Sequence, residues 1–491
     1  MTATNQRKLQ DSAPGASSAF GWSLVNTVAS RFGTLGIGIV LARVLGPEQF
    51  GTFAVALVAL MAVLSFNELG VSLAIVRWPT DPAQIAPTVN TISVISSSII
   101  AALGWIGAPA FTALMGNPEA TGVVRILILS VLVNGAVAGP AALLQRNFRE
   151  RTRMGIDQVN VWVGALVALG LAVTGMGAMA LAIGRLLGAL LSGAMFIKAS
   201  PLPYRLGWSR EFAMPLMRFG LPLAGTSIIV FAVGYTDQLV AGSILGATVL
   251  GFYVLAFNLS SWPVSIVSQP LRRVAPAAFA SVQGEPARMR QSVLVLFGVV
   301  GAATIPAFFA IAGASRPLVR LVYGEVWLPA AAALAWLVIA ALCKIFNELI
   351  YDYIVVLGRT GVVFLIQCCS LAVLIPALLL GAHFGGLVGV AMAQAAVSVV
   401  VVLPLYLWQL RRIGIGVGTI LRSLSVPFLA GIGSGAFAWM ISNVILNPWI
   451  SLPLSGSLAI GLISVLLYLR RNDLRFLKSI GGLSTSQEKA S

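Results

Sequence analysis

In the segment CKIFNELIYDYI, three ionisable residues, Lys344, Glu348 and Asp352, stand at i, i+4 and i+8. On a helix they stack along one face, with Asn347 and Tyr351 close beside them. The segment lies inside a long apolar run, where even insertion-based scales put an ionised group about 2.5–3.5 kcal/mol uphill, so this face is expected to turn away from lipid. Lys344 can pair with Glu348 along the helix, or it can offer its ammonium to an anion. Glu348 and Asp352 can exchange a proton or a sodium ion. Arg31 and Arg185 are further cations within apolar runs, and a guanidinium grips phosphate through two parallel hydrogen bonds. For Arg31 the structural alternative is a salt bridge or a helix–helix hydrogen bond, and Arg185 can instead lie nearer the inner interface and reach back to it. Asp237 in GYTDQLV and Glu68 in FNELG are two more carboxylates of the same kind, read as ion-coupling candidates or as paired structural acids.

Covalent and metal chemistry is poorly provided for. His383 is the sole histidine, and Cys343, Cys368 and Cys369 lie in apolar runs without a zinc-binding spacing. There is no Gly-rich phosphate loop ending in Lys-Ser or Lys-Thr, so ATP is not expected as the direct energy source. The expectation is a protein that is not an enzyme, with no catalytic residue, metal or cofactor beyond a coupling proton or sodium ion.

The elements that must position these residues are set by composition. Apolar residues make up 58% of the 491 and charged residues 9%, with a mean hydropathy of +0.95. A soluble domain carries roughly 25% charged residues. Runs of about 20 apolar residues follow one another from Phe20 almost to the C-terminus, and in hydrocarbon such uninterrupted runs satisfy their backbone only as helices. The fold class expected is therefore all-α and integral to a membrane. About fourteen spans are expected, over 20–43, 51–76, 86–111, 122–146, 155–175, 177–198, 217–241, 248–272, 288–313, 328–356, 361–381, 385–410, 420–443 and 449–471. The pair at 155–198 is divided only by TGMGAM. The first span is too long for a signal-peptide core and reads as an anchor.

The net charge of +16 is a matter of position. With the N-terminus inside, only Arg43, Arg125, Arg316 and Arg320 fall in outer loops. Arg31, Arg185 and Lys344 lie within spans, and every other Lys and Arg is internal. That bias places both termini in the cytoplasm. It is reinforced by attraction to anionic lipid, and it leaves a nucleic-acid partner little to explain.

VLGPEQFGTF (residues 44–53) has an echo in ILGATVLGFY (residues 244–253), at an offset of 200 positions. Each copy falls in an outer turn, one after span 1 and one after span 7, as expected of two six-helix halves in parallel repeat. The organisation expected is a cytoplasmic tail (1–19), a six-helix bundle (20–198), a Pro-rich cytoplasmic linker (199–216), a second six-helix bundle (217–410), two extra helices (420–471) and a cytoplasmic tail (472–491).

In order, LARVLGPEQFGTFAVALVALMAVLSFNELGVSLAIVR, LLQRNFRERTRMGIDQVN, GMGAMALAIGRLL, DQLVAGSILGATVLGFYVLAFNLSSWP and LVYGEVWLPAAAALAWL resemble the patterns of the bacterial polysaccharide transporter family. These are flippases of the multidrug/oligosaccharidyl-lipid/polysaccharide exporter superfamily. The resemblance covers spans 1 to 12. It implies two pseudo-symmetric bundles around a cavity, moving a polyprenyl-linked oligosaccharide from the cytoplasmic to the outer leaflet of a bacterial inner membrane by alternating access. A polysaccharide polymerase and a chain-length regulator would be its partners. Arg31, Arg185 and Lys344 would then meet the anionic head, which otherwise faces a large desolvation cost. The alternatives are a drug exporter of the same superfamily, whose N-terminal half is usually centred on an acid rather than an arginine, and a membrane glycan polymerase or ligase, for which the outer loops are short.

Overall fold

In a computed structural model of the chain, residues 16–67, 70–281, 286–473 and 475–476 are described. Among them there is no strand. Twelve of their helices are long and apolar enough to cross a membrane, and the chain is a multi-pass membrane protein. The count differs from the expected fourteen because two helices are broken internally rather than ended by a polar loop. Helix α1 (Ala16–Asn67) covers the expected spans 20–43 and most of 51–76, and leaves helical geometry at Gly46. Helix α12 (Thr360–Val397), which runs through a π-helical turn (Ser398–Val402) into α13 (Leu403–Arg412), covers 361–381 and 385–410 and is interrupted at Gly386.

The second expected span is corrected. It does not run unbroken to 76, because α1 ends at Asn67 and a separate short helix, α2 (Ser72–Arg77), follows. The C-terminal carbonyls of α2 would otherwise lack partners. Arg146 supplies them, donating from Nη1 to the oxygens of Ile75 at 2.6 Å and Trp78 at 3.0 Å.

The chain divides into two compact units. One comprises Met1–Leu45, Val63–Gly107 and Gly122–Gly225. It holds α3 (Pro82–Leu114) up to Gly107, α4 (Thr121–Arg146) from Gly122, α5 (Glu150–Val173) and α6 (Ala178–Ala199). The last two are separate helices joined by residues 174–177. They approach so closely that a Cβ on Gly184 would lie 2.4 Å from the Gly164 carbonyl oxygen, the small-residue packing that replaces a hydrophobic drive in lipid. The stretch expected as an interbundle linker is strapped along the start of α3. Thr91 Oγ1 donates to the Gly207 carbonyl at 2.8 Å and accepts from the Gly207 amide at 2.9 Å. Thr88 Oγ1 accepts from Ser209 N–H at 3.2 Å, and Asn90 Nδ2 donates to the Arg205 carbonyl at 3.1 Å.

The other unit comprises Gly46–Ala62, Ala108–Thr121 and Thr226–Ser491. It takes α7 (Arg210–Leu245) from Thr226, then α8 (Ala247–Ser281), α9 (Pro286–Gly313), the short α10 (Ser315–Tyr323), α11 (Pro329–Val356), α12, α13, α14 (Val417–Val444) and α15 (Pro448–Leu469). The two copies of the repeated motif meet here. Gly46 and Gly246 both adopt left-handed backbone, at φ 72 and φ 83, and a helical segment starts after each. Five residues on, a Cβ on Gly51 would lie 2.1 Å from the Ala247 carbonyl oxygen, and one on Gly251 would lie 2.7 Å from the Pro47 carbonyl oxygen. The two contacts are related by the same offset of 200 positions, so the joint is reciprocal. Trp327, 1% exposed, closes it with edge-on contacts to Phe50 at 5.5 Å and Phe252 at 5.8 Å between ring centres. Nearby, Asn117 Nδ2 donates to Thr52 Oγ1 at 2.9 Å.

Candidate functional site

Helix α11 is apolar enough to be a core helix, and most of its surface is buried. One stripe of it is not apolar. Lys344, Asn347, Glu348 and Tyr351 recur at helical spacing and line a cavity of about 760 Å³ within the second unit. Asp237 of α7 reaches the same cavity, with Ser261 and Ser268 of α8, Gln367 and Gln394 of α12, and Tyr406 of α13. The π-helical turn at Ser398–Val402 sits on its wall. Such turns interrupt a helix most often at functional positions.

The charged groups are held differently. Asp237 is 3% exposed. Its Oδ2 accepts from the Tyr253 hydroxyl at 2.7 Å and its Oδ1 from the Gln238 amide at 2.8 Å. Tyr253 is itself fully buried, so this carboxylate is fixed in place. Among the described residues no ion pair joins Lys344 to Glu348, which corrects the intrahelical pair that their spacing allows. Lys344 is exposed towards the cavity instead.

Of the residues singled out from sequence, Lys344, Glu348 and Asp237 come together at this cavity. Asp352 does not line it and is buried one turn further along α11. Arg185 lies in the other unit, on α6, and is exposed. Arg31 lies on α1, but its side chain is outside what is described, and Glu68 falls outside the described residues. Gln367 and Gln394 were not singled out. Their signal is an isolated amide in an otherwise apolar run, in LIQCCSL and VAMAQAAV, which in lipid implies a buried partner or a cavity. Among the described residues, no group of three or more His, Cys, Asp and Glu is placed to hold a metal ion.

Residues 40–332 match the model of a family described as polysaccharide biosynthesis protein. The chain is 25% identical over 418 residues to the lipopolysaccharide biosynthesis protein WzxC of Escherichia coli (strain K12), covering 83% of each chain. It is 25% identical over 428 residues to the succinoglycan biosynthesis transport protein ExoT of Rhizobium meliloti (strain 1021), covering 84% of this chain and 81% of that one. Among solved structures it is similar to the lipid II flippase MurJ in an inward closed conformation. The TM-score is 0.75 with 13% identity, over 92% of this chain and 99% of that chain. At that identity the likeness is one of fold.

Proposed function

The chain belongs to the polysaccharide biosynthesis protein family, and from that premise we propose that it is a flippase. Its cargo is a polyprenyl phosphate- or diphosphate-linked oligosaccharide, carried from the cytoplasmic to the outer leaflet for cell-surface polysaccharide synthesis. The membrane is a bacterial inner membrane, and the charge bias of the loops puts both termini in the cytoplasm. Support comes from similarity to WzxC and ExoT over more than four fifths of the chain, the latter named as a transport protein.

The observation that carries the reading is the cavity in the second unit, where Lys344 stands among polar side chains, the carboxyl residues Asp237 and Glu348 included, inside an apolar bundle. An anionic head crossing lipid needs such a partner, because unpaired charge in a low-dielectric layer costs many kcal/mol. Lys344 meets the phosphate in this reading, and Arg31 and Arg185 are the matching cations of the first half. Asp237, Glu348, Asp352 and Glu68 are the carboxylates through which a proton or sodium gradient drives the cycle. The chain then works as a secondary transporter and not as an enzyme, handing its cargo to a polymerase and a chain-length regulator.

The test is transfer of a labelled polyprenyl diphosphate oligosaccharide across proteoliposomes holding the full chain. Lys344→Ala is expected to lower the initial rate at least tenfold, while Lys344→Arg keeps most of it. Full activity in Lys344→Ala would remove the cavity from the mechanism, and no transfer by the parent protein would remove the flippase reading itself.

A further inference from the structure

Helices α4 and α11 end in the same way. After α4, the Phe148 amide donates to the Gln145 carbonyl at 3.1 Å and the Arg149 amide to the Leu144 carbonyl at 2.9 Å. After α11, at an offset of 210 positions, the Gly358 amide donates to the Val355 carbonyl at 2.9 Å and the Arg359 amide to the Ile354 carbonyl at 3.2 Å. This pair of bonds closes a helix by turning one residue into the left-handed region, where glycine is favoured. Gly358 takes that place at φ 74 and Phe148 at φ 53. Among the described residues, Phe148 is the one non-glycine with a positive φ, and a bulky side chain is an outlier there. It gains little packing in return, being 91% exposed. The turn after α11 shows that glycine closes this geometry, so folding does not account for the ring.

We propose that the α4–α5 turn is a lipid-binding site, in which the Phe148 ring enters the cytoplasmic leaflet while Arg149 and Arg151 hold the phosphates of anionic lipids. From the flippase reading this takes only the orientation of the loops, and it is independent of the cargo. The arginines of QRNFRERTR divide into two kinds. Arg146 is spent on the carbonyls of Ile75 and Trp78. Arg153 donates to Gln145 Oε1 at 3.0 Å and lies 4.0 Å from Glu150, the acid of the turn. Arg149 and Arg151, which flank the ring in sequence, are exposed and make no ion pair among the described residues. Depth favours lipid over a cytosolic protein as the occupant. Helices α4 and α5 have 26 and 24 residues, which makes them about 39 and 36 Å long. A bilayer has a hydrocarbon core of about 30 Å and spans about 40–45 Å with its headgroups. Helices of this length end within the headgroup layer, so the turn between them lies level with the lipid phosphates. At that level aromatic rings serve as anchors, and unpaired basic side chains are drawn to anionic lipid.

The test places a bimane reporter at position 148 of the full chain, as Phe148→Cys with Cys343, Cys368 and Cys369 changed to Ala, in vesicles of mixed phosphatidylglycerol and phosphatidylcholine. One lipid at a time is brominated near its headgroup. The reporter should be quenched by lipid and shielded from aqueous iodide. Brominated phosphatidylglycerol should quench about fivefold more efficiently than brominated phosphatidylcholine, and Arg149→Gln, Arg151→Gln should abolish that difference. Iodide quenching without lipid quenching would put the ring in the cytosol, open to a protein partner, and overturn the site. Equal quenching by the two lipids before the arginines are changed would remove the anionic preference and also overturn it. A second measurement needs no reporter. Phe148→Gly installs the residue used after α11, so thermal unfolding in detergent, where there is no leaflet to enter, should keep or raise its midpoint. A lowered midpoint would make the ring a packing residue and refute the proposal. Neither measurement involves cargo, so a chain that moves no oligosaccharide can still pass both, and a working flippase can fail them.

Discussion

Alanine at position 51 would put a methyl group 2.1 Å from the Ala247 carbonyl oxygen, and alanine at position 251 would put one 2.7 Å from that of Pro47. Both distances are far inside van der Waals contact, and the obstacle in each case is main chain, which cannot swing aside. Forcing an extra methyl into a packed site costs about 1–3 kcal/mol. Relieving a helical glycine returns up to about 1 kcal/mol. The net loss expected is about 1–2 kcal/mol for Gly51→Ala and less for Gly251→Ala, whose obstacle stands farther off. Gly456→Ala on α15, with nothing within 4 Å of the added Cβ, serves as the control and should be neutral or slightly stabilising. The distinctive expectation concerns the double variant. Both methyls part the same joint, so once the first has done so the second meets less resistance. The combined loss should fall short of the sum by about 0.5–1 kcal/mol, within the range of coupling between residues in contact. Thermal unfolding of the detergent-solubilised chain, followed by tryptophan emission, measures all four variants. Losses that add to within about 0.3 kcal/mol would mean the two contacts are independent and refute the reciprocal joint.

Two further outcomes follow from the packing. Trp327→Ala empties an almost fully buried site between Phe50 and Phe252 and should cost about 3–5 kcal/mol; thermal unfolding that stays within 1 °C of the parent would contradict its placement. Thr91→Val removes a hydroxyl that both donates to and accepts from Gly207, so limited proteolysis within residues 201–209 should speed up several-fold, and an unchanged cleavage rate would mean the strap is held by other bonds.

The helical fold and the inward-turned face of α11 were legible because charge inside a twenty-residue apolar run has few explanations. Lys344, Glu348 and Asp237 were found that way and share one cavity. The spacing of Lys344 and Glu348 could not say which way the lysine turns, since i, i+4 geometry allows a pair without requiring it. Gln394 and Gln367 went unmarked because an amide carries no charge to stand out against the apolar background. The break before α2 falls at FNELG, where Asn67, Glu68 and Gly70 interrupt the apolar run too briefly to mark the end of a span, and Gly70 takes a left-handed φ of 63. The far end of α2 is held by a distant arginine, Arg146, supplying the hydrogen bonds a helix C-terminus lacks. The linker strap is made of backbone groups, threonine hydroxyls and the Asn90 amide, groups common in any loop. The repeat was visible as two similar decapeptides, but similarity gives equivalence and not contact. That the copies touch depends on the left-handed turns at Gly46 and Gly246.

The meeting of those copies has a mechanical consequence. At its closest points one carbonyl oxygen faces one Cα–H on each side, with no ion pair to desolvate and no rotamer to freeze. Weak contacts of this type contribute about 0.5–1 kcal/mol apiece, so undoing the pair costs about as much as a tenfold change in an equilibrium constant. The rings around Trp327 supply grip, while the glycines supply a latch that thermal energy can lift and that re-seats without any side chain having to find its place.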